Sequence, residues 1–254
     1  MRKYAGKSDI GRLRMQNEDA FCIIGGAGAA SEGDFPDAPL VFAVADGMGG
    51  HLAGDIASQT AIAVIRENLE AAPFDVSDDV KINARLVDLV REANAVIYKK
   101  SLEDPECYGM GTTLIIAVIS EGALSIAHIG DSCAYRVRDG VMTKITTDHT
   151  YVEELVRIGS LTREEAARHP KRNLITKVVG CMSNVAPDLY NADLLAGDKL
   201  LICTDGLSKM LPDEDIAGAM ASSGDPESIC DALITGSNRM GGLDNITVIV
   251  YVKE

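Results

Sequence analysis

The fold of this chain is decided by the stretch VFAVADGMGGH, residues Val41–His51, in which a short apolar run leads into a turn made almost wholly of glycine. A short apolar run that contains β-branched residues and is closed by glycines predicts a buried strand rather than a helix. Asp46 stands at the predicted end of this strand, and a buried carboxylate is costly unless a positive charge neutralises it. The stretch therefore predicts either a metal or phosphate site, or the hairpin turn that an Asp-Gly pair commonly forms.

Composition restricts the class of protein. The 254 residues fall in the range of single domains built on large sheets, so we expect one domain over residues 1–254. Hydrophobic residues make up 46% of the chain, which is enough for a core and argues against disorder. The formal net charge of -14 argues against nucleic acid as a partner and suits a protein that binds cations.

The cysteines and the apolar runs predict the compartment. The six cysteines are scattered without a CxxC pair, which indicates reduced core thiols rather than disulfides or a zinc site. The N-terminus lacks a signal-peptide core, and no apolar run approaches the roughly 20 residues that span a bilayer. We therefore expect a cytoplasmic protein, monomeric and without a membrane partner.

Strands and helices are predicted in separate blocks, which favours antiparallel sheets covered by helices. An edge strand and turn are expected over Arg2–Arg14, a loop over Gly25–Pro39 and a charged helical segment over Tyr151–Pro170. Helical spacing predicts helices at Ala53–Leu69, Asp78–Lys100, Asp213–Ala221 and Pro226–Arg239. Strands are predicted at Thr112–Ser120, Ala123–Ile129, Ala134–Val137 and Val141–Ile145, as one antiparallel meander, and at Leu174–Val179, Lys199–Cys203 and Asn245–Val252.

Carboxylates recur at the predicted strand ends. Asp46, Asp131 and Asp205 each lie beside a glycine at the end of an apolar run, and Asp244 precedes another such run. If these ends meet at one edge of packed sheets, the repulsion among the carboxylates is relieved by bound cations. Oxygen ligands select hard ions, so the pattern predicts Mg²⁺ or Mn²⁺ rather than zinc.

A family resemblance rests on six motifs that occur in order from near residue 8 to the C-terminus. They are Arg14-x-x-Asn17-Glu18-Asp19, Ala45-Asp46-Gly47-Met48-Gly49-Gly50-His51, Gly109-Met110-Gly111-Thr112-Thr113, His128-Ile129-Gly130-Asp131-Ser132, Thr204-Asp205-Gly206 and Gly242-Leu243-Asp244-Asn245. Any one of them is unspecific, whereas all six in this order are highly specific. The chain resembles the metal-dependent protein phosphatases, the PPM or PP2C family, in their bacterial form.

The resemblance implies an α+β fold, a four-layer α-β-β-α sandwich of two antiparallel sheets flanked by helices, with two Mn²⁺ or Mg²⁺ ions at one end. It also implies a role for each motif residue. Asp46 would bridge both ions, the Gly47 carbonyl would bind one of them, and Asp205 and Asp244 would complete the coordination of the second ion. Glu18 would hold metal-bound water, and Asp131 would share a third ion with Asp205. Arg14 would bind the substrate phosphate, and Asp19 and Asn245 would support the site. Without the resemblance, Arg14 predicts only a surface ion pair with Glu18 or Asp19.

The activity implied is hydrolysis of phosphoserine and phosphothreonine by a water that bridges the two ions. Arg14, Asp46 and Asp205 would be the catalytic residues. The alternatives are a regulator that binds phosphoproteins without catalysis, and a phosphatase of the same fold that acts on small phosphorylated metabolites. Phosphoproteins are the expected partners, with an opposing Ser/Thr kinase as a further one.

Two positions depart from the family pattern. Met48 stands where many members carry a histidine proposed to protonate the leaving group, so we expect water to be the proton donor. Cys133 stands where the motif would place an arginine, which is expected to weaken a third metal site at Asp131.

The segment at about 150–180 matches the position of the family's flap. It carries basic residues in an otherwise acidic chain, at Arg163, Arg168, Lys171, Arg172 and Lys177. They predict a solvated helix face first, and a docking surface for acidic phosphoprotein segments second.

Overall fold

The computed structural model describes residues 2–25, 39–49 and 53–254. The predicted loop over Gly25–Pro39 lies outside these residues except for its two ends, and so does His51.

Strands and helices occupy the described residues in separate blocks, as expected. In chain order the strands are β1 (Arg2–Asp9), β2 (Asp19–Ile24), β3 (Leu40–Met48), β4 (Gly111–Thr112), β5 (Leu114–Ser120), β6 (Ala123–Ile129), β7 (Cys133–Arg138), β8 (Val141–Lys144), β9 (Asp188–Asp193), β10 (Lys199–Cys203) and β11 (Ile246–Lys253). The helices are α1 (Ala53–Ala71), α2 (Asp79–Glu103), α3 (Tyr151–Arg157), α4 (Arg163–Ala167), α5 (Asp205–Ser208), α6 (Asp213–Ala221) and α7 (Pro226–Arg239). A short 3₁₀ turn, Pro105–Cys107, follows α2.

The strands form two antiparallel sheets. The first has the order β1-β11-β10-β7-β8, and the second has the order β2-β3-β5-β6-β9 with β4 paired to β3. The predicted edge strand at the N-terminus is confirmed, since β1 borders the first sheet.

Three apolar layers separate the sheets and helices. Along β3, Val41, Ala43 and Ala45 pack with residues of α1 and α2, whereas Phe42 and Val44 point to the other side and pack with the first sheet. Successive side chains of a strand point to opposite faces, so a strand buried on both faces reads as a continuous apolar run. A third layer lies between the first sheet and α5, α6 and α7. The predicted α-β-β-α sandwich is therefore confirmed.

Two predictions about strand arrangement are wrong. The four strands from β5 to β8 do not form one meander, because β5 and β6 belong to the second sheet and β7 and β8 to the first. Periodicity identifies strands but does not identify their partners. The chain crosses between the sheets at Gly130, whose φ of 106° places it in a region that favours glycine.

The second error concerns Leu174–Val179, which is not a strand. Only isolated bridges occur there, between Val179 and Thr112 and between Ile175 and Thr150. The polar strand β9 was not predicted, because its exposed residues alternate with half-buried ones instead of forming an apolar run. Asp46 also lies within β3, two residues before the strand ends, rather than after it.

Replacement of Gly206 by alanine is expected to destabilise the fold. A Cβ at Gly206 would lie 1.9 Å from the backbone oxygen of Asn245, so α5 and the start of β11 would have to separate. We expect a loss of about 1–3 kcal/mol in the free energy of unfolding, measured by urea titration. Gly218→Ala is the control, since Gly218 is also helical and has open space around it; that variant should gain up to about 1 kcal/mol. Equal stability of the two variants would contradict the packing described here.

Candidate metal centre

The predicted acidic residues do meet at one edge of the two sheets. In the second sheet, Asp19 at the start of β2 pairs with Asp46 in β3. In the first sheet, Cys203 at the end of β10 pairs with Cys133 at the start of β7, so Asp205 and Asp131 leave neighbouring strands. Asp244 directly precedes Asn245 and β11, which lies beside β10.

Asp46 is held by its backbone and surrounded by negative charge. Its amide donates to Thr113 Oγ1 at 3.0 Å, and its carbonyl accepts from the Thr113 amide and from Thr112 Oγ1, both at 2.9 Å. Burial raises the pKa of the Asp46 carboxyl well above its ordinary value, and nearby carboxylates raise it further. Those carboxylates are Asp19, Asp205, Asp131 and Asp244. Asp46 therefore stands at the electrostatic centre of the cluster.

Asp19 is a buried supporting residue. Its Oδ2 accepts hydrogen bonds from Thr247 Oγ1 at 2.7 Å and Thr204 Oγ1 at 2.9 Å, and its Oδ1 is buried without a hydrogen-bond partner among the described residues. Burial raises the pKa of Asp19 to about 7, although the two threonine hydroxyls oppose this shift. Asp19 thus links β2 to the strand ends of the first sheet.

Asp131 and Asp205 share one cation. Lys209 Nζ lies 2.8 Å from Asp131 Oδ2 and 2.6 Å from Asp205 Oδ2. The Asp131 side chain is 2% exposed and that of Asp205 17%. The second oxygen of Asp131, Oδ1, is buried and has no hydrogen-bond partner within the described ranges.

A second cation, Arg14, serves Asp244 and Glu18. Arg14 Nη2 lies 2.8 Å from Asp244 Oδ2, whereas its Nη1 is 3.8 Å from Glu18 Oε2. The ion pair predicted from the local sequence, with Glu18, is thus present but long. The shorter contact joins residues 230 positions apart and places Arg14 at the edge of the acidic cluster, 46% exposed.

Asn245 fixes the loop that carries Arg14 and Glu18. Its Nδ2 donates to the carbonyls of Ile10 and Gln16, both at 3.0 Å, and its Oδ1 accepts from the Glu18 amide at 2.8 Å. The Glu18 carbonyl in turn accepts from the Gly47 amide at 3.1 Å. One buried amide therefore sets the position of the loop against β3.

Gly47 provides close contact between backbone segments. A Cβ at this position would lie 2.0 Å from the Gly54 carbonyl oxygen and 2.7 Å from that of Glu18. Only a residue without a side chain allows α1, β3 and the Glu18 loop to meet here.

His149 holds the crossing that carries Asp131. Its amide donates to the Gly130 carbonyl at 2.8 Å, and its Nδ1 accepts from the Gly130 amide at 3.0 Å. Its ring stacks on that of His128 with centroids 4.8 Å apart, and its Nε2 lies 3.2 Å from Asp188 Oδ2. Burial lowers the pKa of His149, which keeps Nδ1 free to accept. His128 is buried, and its Nε2 lies 3.0 Å from the Ser132 carbonyl oxygen.

The donors fit a hard divalent cation. They are carboxylate oxygens, and the unpartnered Oδ1 atoms of Asp19 and Asp131 are buried acceptors. Within residues 2–25, 39–49 and 53–254, no three His, Cys, Asp or Glu side chains form a ready-made metal cluster. Instead the structure groups them as Asp131 with Asp205, Asp244 with Glu18, and Asp46, whose carboxyl interacts with members of both pairs.

Comparison with known proteins places this arrangement in a family. The family model described as protein phosphatase 2C matches residues 16–230. The chain belongs to the protein phosphatase 2C family. The chain is 33% identical over 248 residues to the serine/threonine phosphatase stp of Listeria monocytogenes, and the alignment covers 98% of this chain and 94% of that one.

Solved structures agree. The S. agalactiae serine/threonine phosphatase superposes on this chain with a TM-score of 0.91 at 35% identity, covering 100% of both chains. The catalytic domain of PstP, solved in complex with two manganese ions, has a TM-score of 0.82 at 37% identity and covers 99% of this chain and 97% of that one. The predicted family, fold and enzyme class, a bacterial-type protein serine/threonine phosphatase, are thereby confirmed.

Some residues of the site were not predicted from sequence. Lys209 lies four residues after Asp205, a spacing typical of ion pairs on a helix, and this signal could have identified it. The threonines at positions 113, 204 and 247 gave no such signal, because their partners are distant in sequence. His149 received no role, although it fixes Gly130.

The basic residues of the 150–180 segment are largely engaged by neighbours. Arg163 pairs with Glu153 at 3.2 Å, Lys177 pairs with Asp188 at 2.7 Å, and Lys171 Nζ lies 5.4 Å from the centre of the Tyr151 ring. Four of the five basic residues are exposed and Lys177 is half-buried, but only Arg163 lies in a helix, so the exposed basic residues belong mostly to loop rather than to the helix face that the sequence predicts. Among the described helices, none is long and apolar enough to cross a membrane.

Replacement of Asn245 by alanine should loosen the loop that carries Arg14. The change removes all three hydrogen bonds of the buried amide, so we expect a loss of about 1–3 kcal/mol in stability and faster amide exchange over residues 10–18, measured by hydrogen-deuterium exchange. Asn94→Ala is the matched control: Asn94 is also buried, but it bonds Gly180 and Met182. Its effect should appear around residues 178–183 and leave residues 10–18 unchanged. Unchanged exchange of residues 10–18 in Asn245→Ala would contradict the assigned role.

Proposed function

We propose that this protein dephosphorylates phosphoserine and phosphothreonine in proteins with two Mn²⁺ or Mg²⁺ ions held at the acidic edge of the sheets. Asp46, the Gly47 carbonyl, Asp205 and Asp244 would bind the ions, and Glu18 would orient water on one of them. The proposal transfers to this chain the two-ion arrangement of the PstP relative, whose structure contains two manganese ions.

One observation carries the proposal: the strand ends that bear Asp46, Asp131, Asp205 and Asp244 meet at one edge of the two packed sheets. A divalent cation at this edge would be attracted by several carboxylates and would relieve the repulsion among them. The carboxylates cannot all be served by Arg14 and Lys209, which are the cations that contact them among the described residues.

When bound, such ions supply an activated water and neutralise charge on the phosphoryl oxygens. The side chains of the protein bind the phosphate and hold the surrounding segments in place. Arg14 is half exposed and oriented by Asp244, so guanidinium N–H groups remain available for two oxygens of the substrate phosphate. Asn245 holds the loop that carries Arg14 and Glu18, and Asp19 holds the end of β10 through Thr204, so both segments stay in place while the phosphate binds.

The leaving group must receive a proton when its bond to phosphorus breaks. Met48 is 38% exposed beside Asp46 and has no proton to give. We therefore assign the proton to solvent water at the site rather than to a side chain of β3. The bond from the attacking water oxygen to phosphorus forms as the bond to the serine or threonine oxygen breaks.

The wider setting is also part of the proposal. Relatives named as serine/threonine phosphatases support phosphoproteins as the substrate class. We further propose one catalytic domain over residues 1–254, a flap at about 150–180 beside the site, a monomeric cytoplasmic enzyme, and a Ser/Thr kinase that opposes it. The cysteines are scattered along the sequence and form no disulfide in the structure, which supports a reducing compartment such as the cytoplasm.

The decisive experiment is a Mn²⁺-dependent dephosphorylation panel of phosphopeptides, phosphoproteins and small phosphorylated metabolites. Faster turnover of phosphoserine and phosphothreonine substrates supports the proposal. Turnover of metabolites alone would favour the alternative substrate class, and no turnover of any substrate would favour a non-catalytic regulator.

Removal of the metal ions and replacement of a proposed metal ligand should both lower phosphatase activity strongly. We expect no phosphatase activity in excess EDTA and full recovery with Mn²⁺. Asp205→Asn should lower kcat by more than about 100-fold, since groups that only orient metal ligands are already worth about 10- to 100-fold. Asp139→Asn, at the exposed turn after β7, is the control and should keep wild-type kcat. Full activity in EDTA would refute the proposal.

Replacement of Arg14 by alanine should chiefly raise KM. Loss of a charge-assisted bond to phosphate costs about 1.5–3 kcal/mol, which corresponds to a rise in KM of about 10- to 100-fold for p-nitrophenyl phosphate. Arg14→Lys should recover part of this loss, because it keeps the charge but not the two-pronged geometry. Arg12→Ala, on the same exposed loop, should leave KM unchanged. A fall in kcat without a change in KM would argue for a different role of Arg14.

A further inference from the structure

Lys209 makes the shortest contacts between a cation and the acidic edge. Its Nζ lies between Asp205 Oδ2, at 2.6 Å, and Asp131 Oδ2, at 2.8 Å. The two carboxylates come from different strands, and the lysine is the group that joins them. Both distances are those of charge-assisted hydrogen bonds.

The local backbone explains how Lys209 reaches this position. It ends the one-turn helix α5, and its amide donates to the Asp205 carbonyl at 2.8 Å. Residues four apart on a helical turn lie on the same face, so the Lys209 and Asp205 side chains meet. Asp131 then approaches from the crossing between β6 and β7, where His149 fixes Gly130.

Lys209 is less buried than the carboxylate that it contacts. The Lys209 side chain is 37% exposed, whereas that of Asp131 is 2% exposed. The ammonium therefore lies within hydrogen-bond distance of a carboxylate that has almost no access to water.

Among the described residues, the ion pair of Asp131 is with Lys209 alone. The Sγ of the neighbouring Cys133 contacts the backbone oxygen of Asp131 at 3.4 Å rather than the carboxylate. The buried Asp131 carboxylate therefore depends on Lys209 for neutralisation.

We propose that the Lys209 ammonium is a built-in cation for Asp131 and Asp205, which takes the place of a third metal ion and limits the chain to two. The inference rests on the proposed function, because it presupposes two ions near Asp46. A divalent ion could occupy the space between the same two carboxylate oxygens only by displacing the Lys209 ammonium. The ammonium stays tethered nearby and repels the ion. Cys133, in place of an arginine, predicts a weak third metal site at Asp131. The contacts of Lys209 supply a direct reason for that weakness.

The test counts Mn²⁺ ions bound per chain to metal-stripped protein, by equilibrium dialysis and by isothermal titration calorimetry. The variants are Lys209→Met and Lys209→Ala, which remove the charge, and Lys209→Arg, which keeps it. Lys7→Met is the matched control, since Lys7 also contacts two carboxylates, Asp231 at 2.7 Å and Glu227 at 3.4 Å, but on the far side of β1 next to α7.

We expect two ions in the wild type, Lys209→Arg and Lys7→Met, and three in Lys209→Met and Lys209→Ala. Asp131→Asn added to Lys209→Ala should return the count to two. Metal-free Lys209→Ala should melt at a lower temperature than the wild type and show the larger rise on addition of Mn²⁺, because repulsion between the two carboxylates is then relieved only by the ion.

Two results would overturn the inference: two ions in both charge-removing variants, or a third ion in the wild type that is lost in Asp131→Asn alone. A wild type that binds no Mn²⁺ would instead overturn the proposed function, and the inference with it. Both charge-removing variants are used so that poor folding of one still leaves the ion count of the other.

Discussion

Mutual repulsion of carboxylates at one edge of two packed sheets is the constraint on which this structure depends. Asp46 has its pKa raised by burial and by Asp19, Asp205, Asp131 and Asp244, and few cations oppose that charge. Such a cluster persists only if the surrounding fold is rigid enough to hold it together. The three apolar layers provide this rigidity, since β3, β10 and β11, which carry or adjoin Asp46, Asp205 and Asp244, are buried on both faces.

Fine positioning comes from uncharged polar groups. Asn245 holds the Glu18 loop, Thr113 holds the Asp46 backbone, and Thr204 and Thr247 bind the Asp19 carboxylate. These groups are buried, and buried hydrogen bonds without competing water define one geometry. Glycines complete the arrangement, because Gly47 and Gly206 let backbone segments approach more closely than any side chain would permit. The acidic residues are therefore placed by neighbours that take no part in chemistry themselves.

The sequence predicts well those features that are local. Two strands and two helices occur with the predicted bounds: Ala123–Ile129, Lys199–Cys203, Asp213–Ala221 and Pro226–Arg239. Continuous apolar runs and helical spacing depend only on residues that are close in sequence, so they can be recognised without the structure. The choice of sheet for β7 and β8 was wrong, because it depends on the crossing at Gly130 and on distant packing.

In the candidate site, too, local features were predicted from the sequence and long-range contacts were not. The acidic residues and Arg14 were predicted from ordered motifs, and the structure brings them together, while their roles remain proposals. The contacts that position them were missed, because Asn245 with Glu18 or Asp19 with Thr247 join residues more than 220 positions apart. Lys209 was also missed, although its partner Asp205 lies four residues away and this local spacing could have identified the contact.

The contact between Arg14 and Asp244 has a consequence for biosynthesis. It joins residues 230 positions apart, and β11, which follows Asp244, lies between β1 and β10. Because synthesis proceeds from the N-terminus, Arg14, Asp46 and Asp205 leave the ribosome before Asp244 and β11. The acidic edge therefore assembles only after β11 has been made and has inserted into the first sheet.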